Sequence, residues 1–217
     1  MDTILFDLDG TLLPMDQDVF IQQYMGELAE RFTPPDFDRK AFAQALVAAT
    51  LAQVKNTSEH TNEEIFWQVF AEQTVPDIRS REPEFLRYYE TDYRNLRRVV
   101  RAGGKARQAV DLLKGKGYQL VLATNPLFPR AAVWPRIQWA GLTPEDFSHI
   151  TTFENSRRCK PNPAYFEDLL ALLGKRPKDC MMVGNDVEDD MVSSCLLYTS
   201  FLGYLLLAQV HTSAKQL

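Results

Sequence analysis

The sequence predicts an α/β fold in which a parallel sheet, flanked by helices on both faces, is interrupted by an inserted all-helical block. Three observations carry this. From Gly104 onward, short apolar β-type runs alternate with segments of helical period, the pattern of parallel strands joined by crossover helices. An isolated apolar run, Thr3 to Phe6, opens the chain without a helix of its own, so its partners lie in that later sheet. Between them, Pro14 to about Asn95 carries apolar residues at three- and four-residue spacing and no strand pattern.

Thr3 to Phe6 is read as the first strand because four residues of apolar and β-branched character stop at Asp7. In the helical block, the period marks helices over Val19 to Phe32, Phe37 to Val54, Glu63 to Phe70 and Pro83 to Tyr93. Pro34-Pro35, Asn56-Thr57-Ser58 and Pro76 punctuate it. There follow a helix Gly104 to Lys116, a strand Gln119 to Ala123, a helix around Ala131 to Trp139 and a short strand His149 to Thr152. A helix Ala164 to Leu173, a strand Cys180 to Val183, a short helix Asp189 to Leu197 and a last strand within Phe201 to Leu207 complete the order.

The formal charge of −5 offers no broad attraction for nucleic acid or an anionic membrane, so any anion site must be local. The apolar opening run is broken by Asp7 and lacks a basic leader, so the mature chain is expected to begin here. The apolar stretch Cys195 to Ala208 falls short of the roughly 20 residues that span a bilayer. Cys159, Cys180 and Cys195, an odd set outside any CxxC spacing, are expected to be reduced thiols of a cytoplasmic protein.

In an open parallel sheet, ligands bind beyond the carboxyl ends of the strands. Asp7, Asp9, Gly10 and Thr11 follow the first strand, and Thr124 and Asn125 follow the second. Gly184, Asn185, Asp186, Glu188, Asp189 and Asp190 follow the strand ending at Val183. So many acids on one rim repel one another unless a cation offsets them, and carboxylate oxygens without His or Cys spacing suit Mg²⁺ better than zinc. His60, His149 and His211 are scattered. Each motif alone also reads as ordinary structure: Asp9-Gly10 as a turn, Thr124-Asn125 as a cap, and Asp186 to Asp190 as an acidic helix start.

DLDGTL at Asp7 to Leu12, ATN at Ala123 to Asn125, KPNP at Lys160 to Pro163 and VGNDVEDD at Val183 to Asp190 resemble, in order, the four motifs of the haloacid dehalogenase-like hydrolase superfamily. The resemblance implies a Rossmann-like core, residues 1–14 and 97–217, with a helical cap domain at 15–96. It implies that Asp7 attacks phosphorus to form an aspartyl-phosphate and that Asp9 protonates the leaving oxygen and then activates water. Mg²⁺ is implied on the Asp7 carboxylate, the Asp9 backbone carbonyl and Asp186. Thr124, Asn125 and Lys160 would bind the phosphoryl oxygens, with Gly10 allowing close backbone approach.

Many relatives place an acid where this chain has Asn185, so the amide of Asn185 is the rival to Asp186 as metal ligand. Asp190, with Asp189 as its rival, is the expected second acid of the set, either behind the ligands or among them. After Asp190 the resemblance thins. An acid at position 9 favours phosphoryl transfer over dehalogenation, so the expected activity is a Mg²⁺-dependent phosphatase acting on a small phosphorylated metabolite. Its rivals are a phosphomutase with the same core and a silent phosphate- and Mg²⁺-binding regulator. The aromatic set Phe66, Trp67, Phe70, Phe85, Tyr88 and Tyr89 is expected to be cap core. Substrate identity and oligomeric state are not fixed by the sequence.

Overall fold

The computed structural model describes residues 1–35, 37–101 and 105–190. Four parallel strands, β1 (Thr3–Phe6), β2 (Gln119–Leu122), β3 (His149–Ile150) and β4 (Cys180–Val183), form a sheet in the order β3-β2-β1-β4. β1 is central, with Phe6 beside Leu122 on one side and Val183 on the other. The chain order reverses between β1 and β4, and a crevice at the carboxyl ends follows from that switch. Ile4, Leu5, Val121, Leu122 and Met182 are fully buried, as a strand covered on both faces requires.

Seven α-helices accompany the sheet among the described residues: α1 (Gln17–Phe32), α2 (Arg39–Val54), α3 (Asn62–Gln73), α4 (Glu82–Glu90), α5 (Lys105–Gly115), α6 (Arg130–Trp139) and α7 (Pro163–Leu173). The expected strand-helix alternation is present, with boundaries moved by capping side chains. Asp16 accepts a bond from the Val19 amide at 3.1 Å and Asp38 from Ala41 at 2.7 Å. Those caps start α1 two residues before Val19 and α2 two after Phe37. Thr61 and Glu64 form a capping box that starts α3 one residue before Glu63.

The helix expected over Pro83 to Tyr93 is two pieces. α4 stops at Glu90, and after Thr91 the chain continues as a 3-10 segment, Asp92–Val99. A second 3-10 turn, Ile78–Arg81, precedes α4. β3 covers two of the four expected residues, because the Asn155 side chain draws residues 150–155 into a turn, accepting from Thr152 N at 2.8 Å and donating to Ile150 O at 2.8 Å. The helix expected at Asp189 to Leu197, the strand in Phe201 to Leu207, Cys195 and His211 lie outside the described residues, save for Asp189 and Asp190, which form a turn.

The two chains that connect the helical block to the sheet run side by side: Met15 bridges Val100, and Arg101 N donates to Pro14 O at 2.8 Å. The interior of the block is aromatic. Phe32 stacks on Phe85 with ring centroids 3.9 Å apart, Trp67 meets Phe85 edge-on at 5.6 Å, and Phe42 meets Phe70 at 5.3 Å. Cys159 and Cys180 are buried, and burial pushes the Cys159 thiol up to about 12, so they pack rather than react. Among the described residues no helix is long and apolar enough to cross a membrane.

Asp146 ties α5 to the turn before β3. Its carboxylate, 6% exposed, accepts from Arg107 at 2.6 Å and Lys114 at 2.8 Å and caps Thr143 N at 2.9 Å. Burial alone would raise its pKa, but the hydrogen bonds from Arg107 and Lys114 outweigh it and hold the carboxyl below the usual range. Asp146→Asn is therefore expected to cost about 1–2 kcal/mol at neutral pH, the discount reflecting two partly exposed cations. A depressed folded pKa adds stability above the unfolded value and loses it as pH falls, so urea titrations should show the gap between variant and wild type closing below about pH 4.

Candidate active site

The crevice is built from three loops that leave the sheet at its carboxyl edge. The ladder extends one residue past β1 and β2, with Asp7 N donating to Val183 O at 2.9 Å and Ala123 N to Phe6 O at 2.7 Å. Asp7 is therefore fixed by the sheet itself. After it the chain folds into a tight loop in which Gly10 N donates to Leu13 O and Leu13 N to Leu8 O, at 2.9 and 2.8 Å. Gly10 takes φ +91°, and a Cβ there would lie 2.6 Å from the Asn185 side chain, so conformation and close approach both require glycine.

The sheet brings together most of the residues expected at the site. Asp7, Asp9, Thr124, Asn125, Asn185, Asp186, Asp189 and Asp190 line one cavity of about 220 Å³. Thr124 is buried, its carbonyl held by Thr151 Oγ1 at 2.7 Å and Tyr165 OH at 3.0 Å. Asn125 accepts from Lys160 N at 3.2 Å and donates to Lys160 O at 3.3 Å and to Asp189 at 3.1 Å. That amide therefore clasps the Lys160 backbone to the end of β2.

Lys160 does not stand on the cavity wall. Its side chain is 1% exposed and lies behind Asp7, donating to Asp7 Oδ1 at 3.0 Å and Asp190 Oδ1 at 2.6 Å. Asp190 reaches it across Gly184, where a Cβ would lie 2.0 Å from the carboxylate. Thr11 donates to Asn185 Oδ1 at 2.8 Å and, more weakly, to Asp7 Oδ2 at 3.3 Å. The Asp7 side chain is only 11% exposed, and burial pushes its pKa up to about 7; Lys160 opposes the rise, while Asp190 and Asp9 add to it. Burial also works against the Lys160 ammonium, but Asp7 and Asp190 more than offset that and keep it charged.

Among the described residues, no three His, Cys, Asp or Glu side chains gather closely enough to hold a metal unaided. The residues lining the crevice include hard oxygen donors, among them the carboxylates of Asp7 and Asp186, the Asn185 amide and the Asp9 carbonyl, a set whose type fits Mg²⁺. All four have other partners here: Lys160 and Thr11 donate to Asp7, and Thr11 to Asn185 Oδ1. Asp186 Oδ1 accepts from its own turn, Glu188 N at 2.8 Å and Asp189 N at 2.9 Å, and the Gln17 amide donates to the Asp9 carbonyl. Asp190, the second acid of the sequence expectation, is buried against Lys160, and its Oδ2 holds the Asp186 amide at 3.1 Å.

The sequence reading missed Arg136. This arginine on α6 is 0% exposed and forms an ion pair with Asp9 Oδ2, while its guanidinium lies over the Phe128 ring, 4.1 Å from the centroid. Burial pushes the Asp9 carboxyl up, and Arg136 and then Lys160 pull it back only in part. The other Asp9 oxygen, Oδ1, is buried without a hydrogen-bond partner among the described residues. The signal was present in RAAVWPRIQWA: Ala132, Val133, Trp139 and Ala140, spaced −4, −3, +3 and +4 from Arg136, mark its face as buried. A charge on such a face needs a counter-charge.

Comparison with known proteins follows the same lines. The family profile described as haloacid dehalogenase-like hydrolase matches residues 1–192. A phosphoglycolate phosphatase of Xylella fastidiosa is 28% identical over 194 residues, covering 86% of this chain and 73% of that protein. The pyrophosphatase PpaX of Bacillus velezensis is 27% identical over 192 residues, covering 87% of this chain and 76% of its own. Among solved structures, a HAD phosphatase from Thermococcus onnurineus superposes with a TM-score of 0.54 at 18% identity, covering 90% of this chain and 83% of that one, a likeness of fold alone. With three of its four motifs on neighbouring strand ends and the family profile spanning them all, the chain belongs to the haloacid dehalogenase-like hydrolases and is a hydrolytic enzyme of that family.

Proposed function

We propose that the protein is a Mg²⁺-dependent phosphatase that hydrolyses a small phosphorylated metabolite in the cytoplasm, with Asp7 as nucleophile. The observation that carries this is the placement of Asp7: a buried carboxylate on the sheet edge, on the cavity wall, backed by Lys160 at 3.0 Å. An Asp7 oxygen attacks phosphorus, and the bond to the leaving oxygen breaks as Asp9 supplies its proton. Water then attacks the phosphorus of the aspartyl-phosphate while Asp9 takes its proton, freeing phosphate and restoring Asp7. Thr124 and Asn125 face the same cavity and are proposed to hold the phosphoryl oxygens, with Lys160 acting from behind through Asp7.

Asp7, the Asp9 carbonyl and Asp186, with the Asn185 amide as the alternative, would hold the ion. When bound it screens the carboxylate of Asp7 from the phosphoryl oxygens. The helical block acts as a cap that excludes water over the bound ester. Release of phosphate from a panel of phosphomonoesters, with Mg²⁺ and with chelator, tests the reading; equal release in both would contradict it.

The raised pKa of Asp7 sets a pH dependence for loading. Without an ion the carboxyl titrates at about 7, and binding requires the carboxylate. The half-saturating Mg²⁺ concentration should therefore fall as pH rises from about 6 to about 8, by up to roughly tenfold per unit below the pKa. Calorimetry in buffers of different ionisation enthalpy should register proton release on binding below pH 7 and little above it.

A further inference from the structure

We infer that the site is built for phosphomonoesters whose leaving alcohol is uncharged and apolar, with Phe20 and Ile21 as specificity-determining residues; this rests on the phosphatase reading above. Apart from the strand-end residues, the cavity wall is formed by Met15, Gln17, Phe20 and Ile21 from the start of the helical block and by Leu127 and Phe128 after β2. Five of the six are apolar and the sixth is a neutral amide. Among the described residues no lysine or arginine side chain lines this cavity.

The nearby cations are committed elsewhere. Lys160 is held behind Asp7 and Asp190, and Arg136 is held by Asp9. In the helical block, Arg31 pairs with Asp92, and Arg79 with Glu63 and Glu82. A leaving group with a carboxylate or a second phosphate would enter a small cavity rimmed by acids, with no counter-charge to replace the water it gives up. A neutral alkyl chain would lose nothing polar and would bury apolar surface against Phe20 and Ile21.

The apolar wall extends further along α1. One turn on from Phe20 and Ile21, Tyr24 and Met25 line a second cavity of about 230 Å³, which shares Leu127 with the first. Its walls include Phe66 and Trp67, and its charged residues are again acids, among them Glu63, whose carboxyl burial pushes up. Both cavities therefore disfavour a second negative charge.

The test compares kcat/KM, in the full chain with Mg²⁺, for n-butyl phosphate, 2-phosphoglycolate and pyrophosphate. The first two release primary alcohols and differ chiefly in charge. Wild type should favour butyl phosphate by about tenfold or more, the scale of one unmatched charge. Ile21 is 39% exposed, so Ile21→Lys adds a cation to the wall at little cost in stability. It should raise kcat/KM for phosphoglycolate and shift the ratio toward it by about tenfold; Gln17→Arg, from a second position, should act in the same direction. Preference of the wild type for phosphoglycolate or pyrophosphate, or an unchanged ratio in both variants, overturns the inference while leaving the phosphatase reading intact. Release from none of the three overturns both.

Discussion

Asp7→Asn should reduce phosphate release from every phosphomonoester by roughly 10⁴- to 10⁶-fold, the scale on which removal of a covalent nucleophile acts. The amide has the shape of the carboxylate and an oxygen that still accepts from Lys160, so circular dichroism and the elution volume should be unchanged. Stability should move the other way. Burial holds the folded pKa of Asp7 near 7, above its unfolded value, so the metal-free wild type keeps this proton at low pH and loses stability as pH rises through about 7. The variant has no such titration. In chelator, its advantage over wild type should therefore grow between about pH 4 and pH 7. A variant that loses activity by unfolding would show neither behaviour.

Removal of the Arg136 charge should have the largest effect on stability. Arg136→Met keeps much of the volume beside Phe20 and Phe128 but leaves the Asp9 carboxylate, 20% exposed, without its cation, a change that costs about 3–5 kcal/mol in a buried pair. Asp9→Asn in the same chain removes the stranded charge, and the double variant should recover a large part of the loss. Denaturant midpoints of the four proteins measure the coupling; a sum of the two single effects with no interaction would show that the pair is not the partnership described. Activity supplies an independent readout. With Asp9 no longer anchored, turnover of an alkyl phosphate, whose leaving oxygen needs a proton, should fall more than turnover of p-nitrophenyl phosphate, whose leaving oxygen does not.

What could be read from the sequence and what could not divide along physical lines. The strand-end residues were legible because their placement is local: a short buried run ends, and Asp7, Thr124 or Gly184 must follow at the sheet's edge. Lys160 was legible as a site residue but not as one lying behind Asp7, since that depends on how β1 and β4 are spaced around it. Arg136 shows the same limit from the other side. Helical period marks its face as buried, yet only the packing of α6 beneath the first loop shows that the charge meets Asp9. The division of the expected helix at Pro83 to Tyr93 was hidden because Thr91 breaks it without a glycine or proline.

The acids at the carboxyl edge explain one another once their partners are known. Asp7 and Asp190 share Lys160, Asp9 has Arg136, and Asp186 caps its own turn. Only part of the charge on this rim is therefore left for a divalent ion to offset, and in the proposed reaction Asp7 and Asp9 take separate tasks because they face different cations, Asp7 the Lys160 it shares with Asp190 and Asp9 Arg136.

The central claim is that the phosphoryl group passes through Asp7. Acid quenching during steady turnover of a phosphomonoester, followed by proteolysis and mass spectrometry, tests it most directly. The account predicts one added phosphoryl group on the peptide containing Asp7, absent from Asp7→Asn, and conversion of that residue to homoserine by borohydride. Phosphate release at full rate with no phosphoryl group on Asp7, or with the group on another residue, would contradict it.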